Sequence, residues 1–168
     1  AIERDKTQVM PEGVSVQTDI PYMNDGDKAH RMDVYRPEGS ESTTLPVVIN
    51  IHGGGLLIGS KEFNRFFCAK LSRLGYLVFS IEYRLVPDCM VFDQFSDVCN
   101  AFKYINAHLG EYNGDSNHIY GVADSGGAYL LTYTAAMAKN RELAKAAHVK
   151  PQKFSFRAIG LISGMFYT

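Results

Sequence analysis

One serine and one run of glycines have the residue types and spacing for nucleophilic chemistry. Ser125 stands in GVADSGGAYL (residues 121–130), behind an apolar run and ahead of a helical pattern. A nucleophilic serine on a sharp strand-to-helix turn needs small residues two positions before and after it. Those positions hold Ala123 and Gly127, so the pattern is A-x-S-x-G instead of the usual G-x-S-x-G. These ten residues fit a nucleophile, and equally the N-cap serine of an ordinary helix.

The second motif, HGGG at residues 52–55, favours the nucleophile. Three consecutive glycines lose much conformational entropy on folding, so they indicate a backbone that must approach another group closely. In acyl transfer that group is the oxyanion, which backbone N–H groups hold. Two other glycine motifs fail, because the P-loop order is inverted in residues 59–61 and Ile58 stands where a dinucleotide fingerprint needs glycine.

The elements that must position these motifs alternate between strands and helices. A hairpin comes first, with strands over 14–23 and 29–37 and a turn at Asn24–Asp27. Further strands are predicted over 45–52, 76–84, 117–124 and 156–166, and helices over 64–75, 92–110 and 126–140. This order predicts an α/β fold with a mostly parallel sheet, helices on both faces and a leading antiparallel hairpin. Both motifs follow strands whose carboxyl ends form the ligand-binding edge of such sheets.

Composition excludes several classes of protein. The length of 168 residues suggests one domain, and a net charge of −1 gives no reason to expect a nucleic-acid partner. No apolar run approaches the ~20 residues of a membrane-spanning helix, so no membrane partner is expected. The three cysteines have no metal-ligand or disulfide pattern, which indicates buried free thiols. With the charged first ten residues, this favours a cytoplasmic location.

Three motifs together resemble the hormone-sensitive-lipase-like branch of the α/β-hydrolase esterases. They are HGGG, EYRLVPD (residues 82–88) and DSGG (residues 124–127), and the resemblance runs from about residue 14 to the end. It implies that Ser125 is the nucleophile and that the amides of Gly54, Gly55 and Gly126 form the oxyanion hole. It also implies that His52 is structural, that Arg84 and Asp97 brace nearby loops, and that no cofactor or metal is needed.

The base that Ser125 would need is the missing part of this pattern. In this fold the triad Asp or Glu and the His follow the serine along the chain. Only His148 does so, in a polar crossover predicted to lie on the other side of the sheet, and His30, His108 and His118 are expected on surfaces or in turns. We therefore expect residues 1–13 to be a lead-in, and residues 14–168 to be the N-terminal portion of a hydrolase domain, truncated after about the sixth strand. A C-terminal portion or a second polypeptide would then supply the Asp and His.

The expected activity is hydrolysis of a small-molecule carboxylic ester through an acyl-serine intermediate. Two alternatives stay open. One is a non-catalytic binding or scaffold protein on the same fold, because a fold does not guarantee activity. The other is an amidase or acyltransferase that uses the same serine turn.

Overall fold

A computed structural model of the protein describes residues 8–150 and 155–166, which form a six-stranded sheet with helices on both faces. The strands are β1 (Val14–Pro21), β2 (Arg31–Pro37), β3 (Leu45–Ile51), β4 (Leu77–Ile81), β5 (Gly114–Asp124) and β6 (Ala158–Ile162). The helices are α1 (Arg65–Arg73), α2 (Val91–His108), α3 (Ser125–Met137) and α4 (Arg141–Ala146), and a 3-10 turn at Lys61–Asn64 precedes α1.

The sheet has the order β1-β2-β4-β3-β5-β6. β1 pairs antiparallel with β2, and β2 pairs antiparallel with β4. β4, β3, β5 and β6 are parallel neighbours. The predicted mixed sheet with a leading antiparallel hairpin and four parallel strands is therefore confirmed.

Alternate residues of the central strands divide the core between two faces. Val47 and Ile49 of β3 pack in the larger cluster with Val98 of α2 and Leu131 of α3. Val48 between them packs on the other face with residues of α1, including Cys68. A strand covered on both faces is mostly apolar on both, which explains why β3 and β4 are nearly continuous apolar runs. All three cysteines are free and buried, as predicted.

The structure differs from the predicted elements in the connections. The loop between β1 and β2 spans residues 22–30 and is wider than the predicted four-residue turn. The segment after α3 contains α4, where Asn140 caps the helix by accepting from the amide of Leu143 at 3.1 Å. The sequence predicts only a polar crossover there. No helix in the described part of the chain is long and apolar enough to cross a membrane.

Candidate active site

Ser125 occupies a strained turn between β5 and α3. Its φ of +47° lies in the left-handed region, which L-residues other than glycine rarely adopt. The preceding Asp124 is extended, with φ −117° and ψ 149°, so the chain reverses within one residue. Strain of this kind persists only where the surroundings enforce it, and it concentrates at functional sites. The turn therefore presents Ser125 at the carboxyl edge of the sheet, half-buried, as the sequence motif predicts.

The small residues after Ser125 are required by the end of β3. A Cβ on Gly127 would overlap the carbonyl oxygens of both Ile51 and His52. A Cβ on Gly126 would lie 3.2 Å from the amide nitrogen of Gly55 and 3.0 Å from that of Leu56. The HGGG loop therefore runs directly against the serine turn. The residue pair Gly126–Gly127 is what allows this approach.

The HGGG loop is shaped by its own close contacts. Gly54 has a φ of +127°, and a Cβ there would overlap the carbonyl of Ile58, which only glycine avoids. The amide of Gly53 donates to Asp124 Oδ1 at 3.1 Å, which ties the loop to the residue before Ser125. Asn64 donates to the same oxygen at 2.8 Å.

The backbone amides of the predicted oxyanion hole remain available beside Ser125. Within residues 8–150 and 155–166, the N–H groups of Gly54, Gly55 and Gly126 donate to no other residue. Gly126 lies in the first turn of α3, where the N–H groups have no intrahelical acceptor and the helix dipole favours negative charge. The structure thus brings together all four residues of the predicted site: Ser125, Gly54, Gly55 and Gly126.

The buried side chain of His52 supports the HGGG loop. Its side chain is fully buried, its Nε2 lies 2.7 Å from Glu82 Oε1, and its ring stacks on Tyr83 at 4.3 Å. Tyr83 donates its hydroxyl to the carbonyl of His52 at 2.8 Å. Burial, then the charges of Glu82 and Asp124, raise the pKa of Tyr83, so its hydroxyl stays a donor. These contacts commit His52 to structure, as the sequence resemblance implies.

Arg84 and Asp97 form the brace predicted for the loop after β4. Arg84 makes a bidentate pair with Asp97, at 2.9 and 2.7 Å, and its backbone amide donates to the same carboxylate at 3.1 Å. The hydrogen bonds that Arg84 donates to the Asp97 carboxylate raise the pKa of Arg84. The Asp97 carboxylate is buried, since the residue is 1% exposed. His30 is also buried at the end of its loop, with Nδ1 2.6 Å from Asp25 Oδ2 and Nε2 3.1 Å from Asp97 Oδ1.

All five histidines of the chain lie in the described residues, and none is placed to activate Ser125. The rings of His52 and His30 pair with the carboxylates of Glu82 and Asp25, and His118 pairs with Asp115 at 2.6 Å. His108 stacks on Tyr104 within α2. α3 carries the chain about 20 Å from the serine turn before His148, which is exposed. No group of His, Cys, Asp or Glu in the described part of the chain could hold a metal ion.

The comparison with protein families identifies the chain. The family model described as BD-FAE matches residues 32–164. The chain belongs to the BD-FAE family. This is an esterase family of the α/β-hydrolases, so the resemblance seen in the sequence motifs is confirmed at the level of the fold and family.

Relatives of this BD-FAE chain are esterases. It is 29% identical over 136 residues to a probable isoprenylcysteine alpha-carbonyl methylesterase of Oryza sativa, covering 81% of this chain and 32% of that protein. It is 31% identical over 123 residues to the probable carboxylic ester hydrolase LipM of Mycobacterium tuberculosis, covering 68% of this chain and 28% of that protein. The chain thus spans about a third or less of these relatives.

The fold of this BD-FAE chain matches solved esterase structures. Esterase B from Lactobacillus rhamnosis superposes with a TM-score of 0.90 at 29% identity, over 95% of this chain and 52% of that chain. A bacterial heroin esterase superposes with a TM-score of 0.68 at 27% identity, over 89% of this chain and 45% of that chain. The described residues therefore correspond to about half of each of these α/β-hydrolases.

Proposed function

We propose that the protein is a serine carboxylic-ester hydrolase in which Ser125 is the nucleophile. The observation that carries this proposal is the left-handed backbone of Ser125, held against the amides of the HGGG loop. A helix cap needs no such strain, because an N-cap residue is normally extended. Asp124 is the N-cap of α3, so Ser125 is the first residue of the helix and its side chain is not needed as the cap.

The proposed reaction has two steps, acylation of Ser125 and hydrolysis of the acyl-serine. Ser125 Oγ attacks the ester carbonyl carbon while a base takes its proton, and the carbonyl oxygen becomes an oxyanion held by the amides of Gly54, Gly55 and Gly126. Collapse of this adduct breaks the bond to the alcohol, which leaves with the proton, and the acyl group stays on Ser125. Water then attacks the acyl-serine through the same oxyanion geometry and releases the acid.

The base and its carboxylate partner are proposed to come from polypeptide outside residues 1–168. Each imidazole in the chain is engaged elsewhere or lies far from Ser125, and the solved esterases extend over about twice the matched length. A C-terminal portion or a second polypeptide would supply the Asp and His. We propose a small ester with a short acyl chain as the substrate, supported by the tributyrin phosphonate that inhibits esterase B.

Fluorophosphonate labelling tests the role of Ser125. The full-length protein should take up one equivalent of probe at Ser125, and Ser125→Ala should abolish both labelling and hydrolysis of p-nitrophenyl acetate. Folded protein that neither labels nor hydrolyses the ester would contradict the proposal and favour the binding or scaffold alternative. Labelling without ester turnover would favour the amidase or acyltransferase alternative.

The origin of the base has a separate test. His148→Gln, His118→Gln and His108→Gln should each leave the labelling rate within about twofold of the wild type, because none of these rings faces Ser125. A folded His148→Gln protein that no longer labels would place the base within this chain and refute the external origin.

A further inference from the structure

Leu56, directly after the HGGG glycines, is strained in the same way as Ser125. Its φ is +69°, although it is not glycine. Its amide nitrogen is one of the two that approach Gly126 most closely. An L-residue returns to negative φ unless its neighbours hold it, so the contacts of Leu56 determine the path of the loop.

Two donors hold the carbonyl of Leu56. The backbone amide of Val86 donates to it at 3.0 Å, and Gln94 Nε2 donates to it at 3.0 Å. Gln94 Nε2 also donates to the carbonyl of Arg84 at 2.8 Å. Because both partners are carbonyl acceptors, the amide nitrogen of Gln94 must face them. One side chain therefore joins the oxyanion loop to the loop after β4.

Gln94 is anchored on a rigid element. It lies in the first turn of α2 and is fully buried, one turn before Asp97, which holds both the backbone and the side chain of Arg84. Its Oε1 has no hydrogen-bond partner among the described residues. A buried acceptor without a partner lowers stability, so an apolar residue of the same size would suit packing at least as well. The two donated bonds are what distinguish glutamine here.

We propose that Gln94 is a positioning residue for the oxyanion hole. By fixing the Leu56 carbonyl it maintains the left-handed Leu56 backbone, which orients the peptide group before Leu56 and thereby positions Gly55, whose amide faces the oxyanion in the proposed site. The inference rests on the proposed esterase function and adds a residue that does not touch the substrate. When the two hydrogen bonds from Gln94 are lost, the Val86 amide alone holds the Leu56 carbonyl, so Leu56 relaxes toward negative φ and the peptide groups before it rotate.

The test compares three variants of the full-length protein. Gln94→Met keeps the size and removes both donors, and Gln94→Glu places a carboxylate against two carbonyl oxygens. Thr134→Val is the matched control, because Thr134 of α3 is 2% exposed and its hydroxyl has no partner among the described residues. Measurements are kcat and KM with p-nitrophenyl acetate, the inhibition constant of a trifluoromethyl ketone, and the melting temperature.

For Gln94→Met we expect kcat to fall about 10- to 100-fold, within the range for a misplaced or lost oxyanion donor. KM should change less than about twofold. The tetrahedral adduct of the trifluoromethyl ketone carries the oxyanion, so its inhibition constant should rise by the same factor by which kcat falls. Gln94→Glu should lower kcat further than Gln94→Met does, and Thr134→Val should keep the wild-type kcat.

The outcomes separate the two proposals. An inactive, unlabelled wild type contradicts the esterase function itself. An active wild type in which Gln94→Met keeps kcat and ketone affinity contradicts the positioning role alone. A melting temperature that falls while kcat per labelled site stays constant assigns Gln94 to stability only, which also overturns the inference.

Discussion

Replacement of Ser125 by glycine should give a more stable protein than replacement by alanine, and both changes should abolish the activity proposed for Ser125. The left-handed backbone at Ser125, with φ +47°, is unfavourable for any residue that carries a Cβ. Glycine adopts this conformation without strain. Ser125→Ala removes the nucleophile but keeps the Cβ and hence the strain. The difference between the two variants therefore isolates the backbone conformation.

The magnitude follows from two opposed effects. A left-handed residue with a Cβ costs roughly 1–2 kcal/mol. Glycine instead loses about 0.5–1 kcal/mol more conformational entropy on folding than alanine does. Ser125→Gly should therefore be more stable than Ser125→Ala by about 0.5–1 kcal/mol, which is a rise of about 2 °C in melting temperature.

The assay is the melting temperature of both variants, with Ala136→Gly as the control. Ala136 is an exposed residue near the C-terminal end of the same helix with ordinary geometry, so glycine there should cost up to about 1 kcal/mol. Glycine should therefore be more stable than alanine at position 125 and less stable than alanine at position 136. If glycine at 125 were less stable than alanine by about 1 kcal/mol, as at 136, the strained turn would be refuted.

Two further predictions concern close packing and thiol burial. Gly127→Ala should cost about 2 kcal/mol in urea denaturation and reduce kcat strongly, because its Cβ would overlap two carbonyl groups of β3 and the loop after it. Gly110→Ala, where a Cβ meets nothing within 4 Å, should cost less than 0.5 kcal/mol or so. Burial raises the pKa of the thiols of Cys68 and Cys99 to about 12, above the ordinary value of 9.0. Because the folded thiols stay protonated while unfolded ones ionise, each should remove about 1.4 kcal/mol of stability per pH unit from pH 9 to 12. Cys68→Ala should weaken this alkaline decline, and a decline unchanged by Cys68→Ala would contradict the assignment.

The sequence predicts the parts of the site that depend on local geometry. Short-range steric needs explain the small residues around Ser125 and the glycines of the HGGG loop, whereas the oxyanion-hole roles predicted for the residues at 54, 55 and 126 rest on the resemblance of three motifs to the α/β-hydrolase esterases. Strand and helix periodicity likewise predicts the sheet, because β3 and β4 are buried on both faces. Element ends are less well predicted: β6 covers Ala158–Ile162, where the apolar run extends over 156–166.

The polar contacts behind the site could not be predicted, because they join residues distant in sequence. Gln94 is 38 positions from Leu56, and Glu82 is 30 from His52. A glutamine in the first turn of an amphipathic helix has no local pattern that marks it as buried. His30 has the same limitation, since only the folded chain brings Asp97 of α2 beside a residue of the β1–β2 loop.

The pairing of β3 with β5 explains why two strained residues meet at one point. These strands are parallel neighbours, with Ile51 opposite Ala123, so the HGGG loop and the serine turn leave the sheet side by side. Leu56 and Ser125 then both adopt left-handed backbones within a site that local preference alone would not form. Long-range hydrogen bonds from α2 and packing of α3 on the end of β3 must offset this strain. Substitutions that relax either turn should therefore strengthen the fold as they weaken the proposed oxyanion hole.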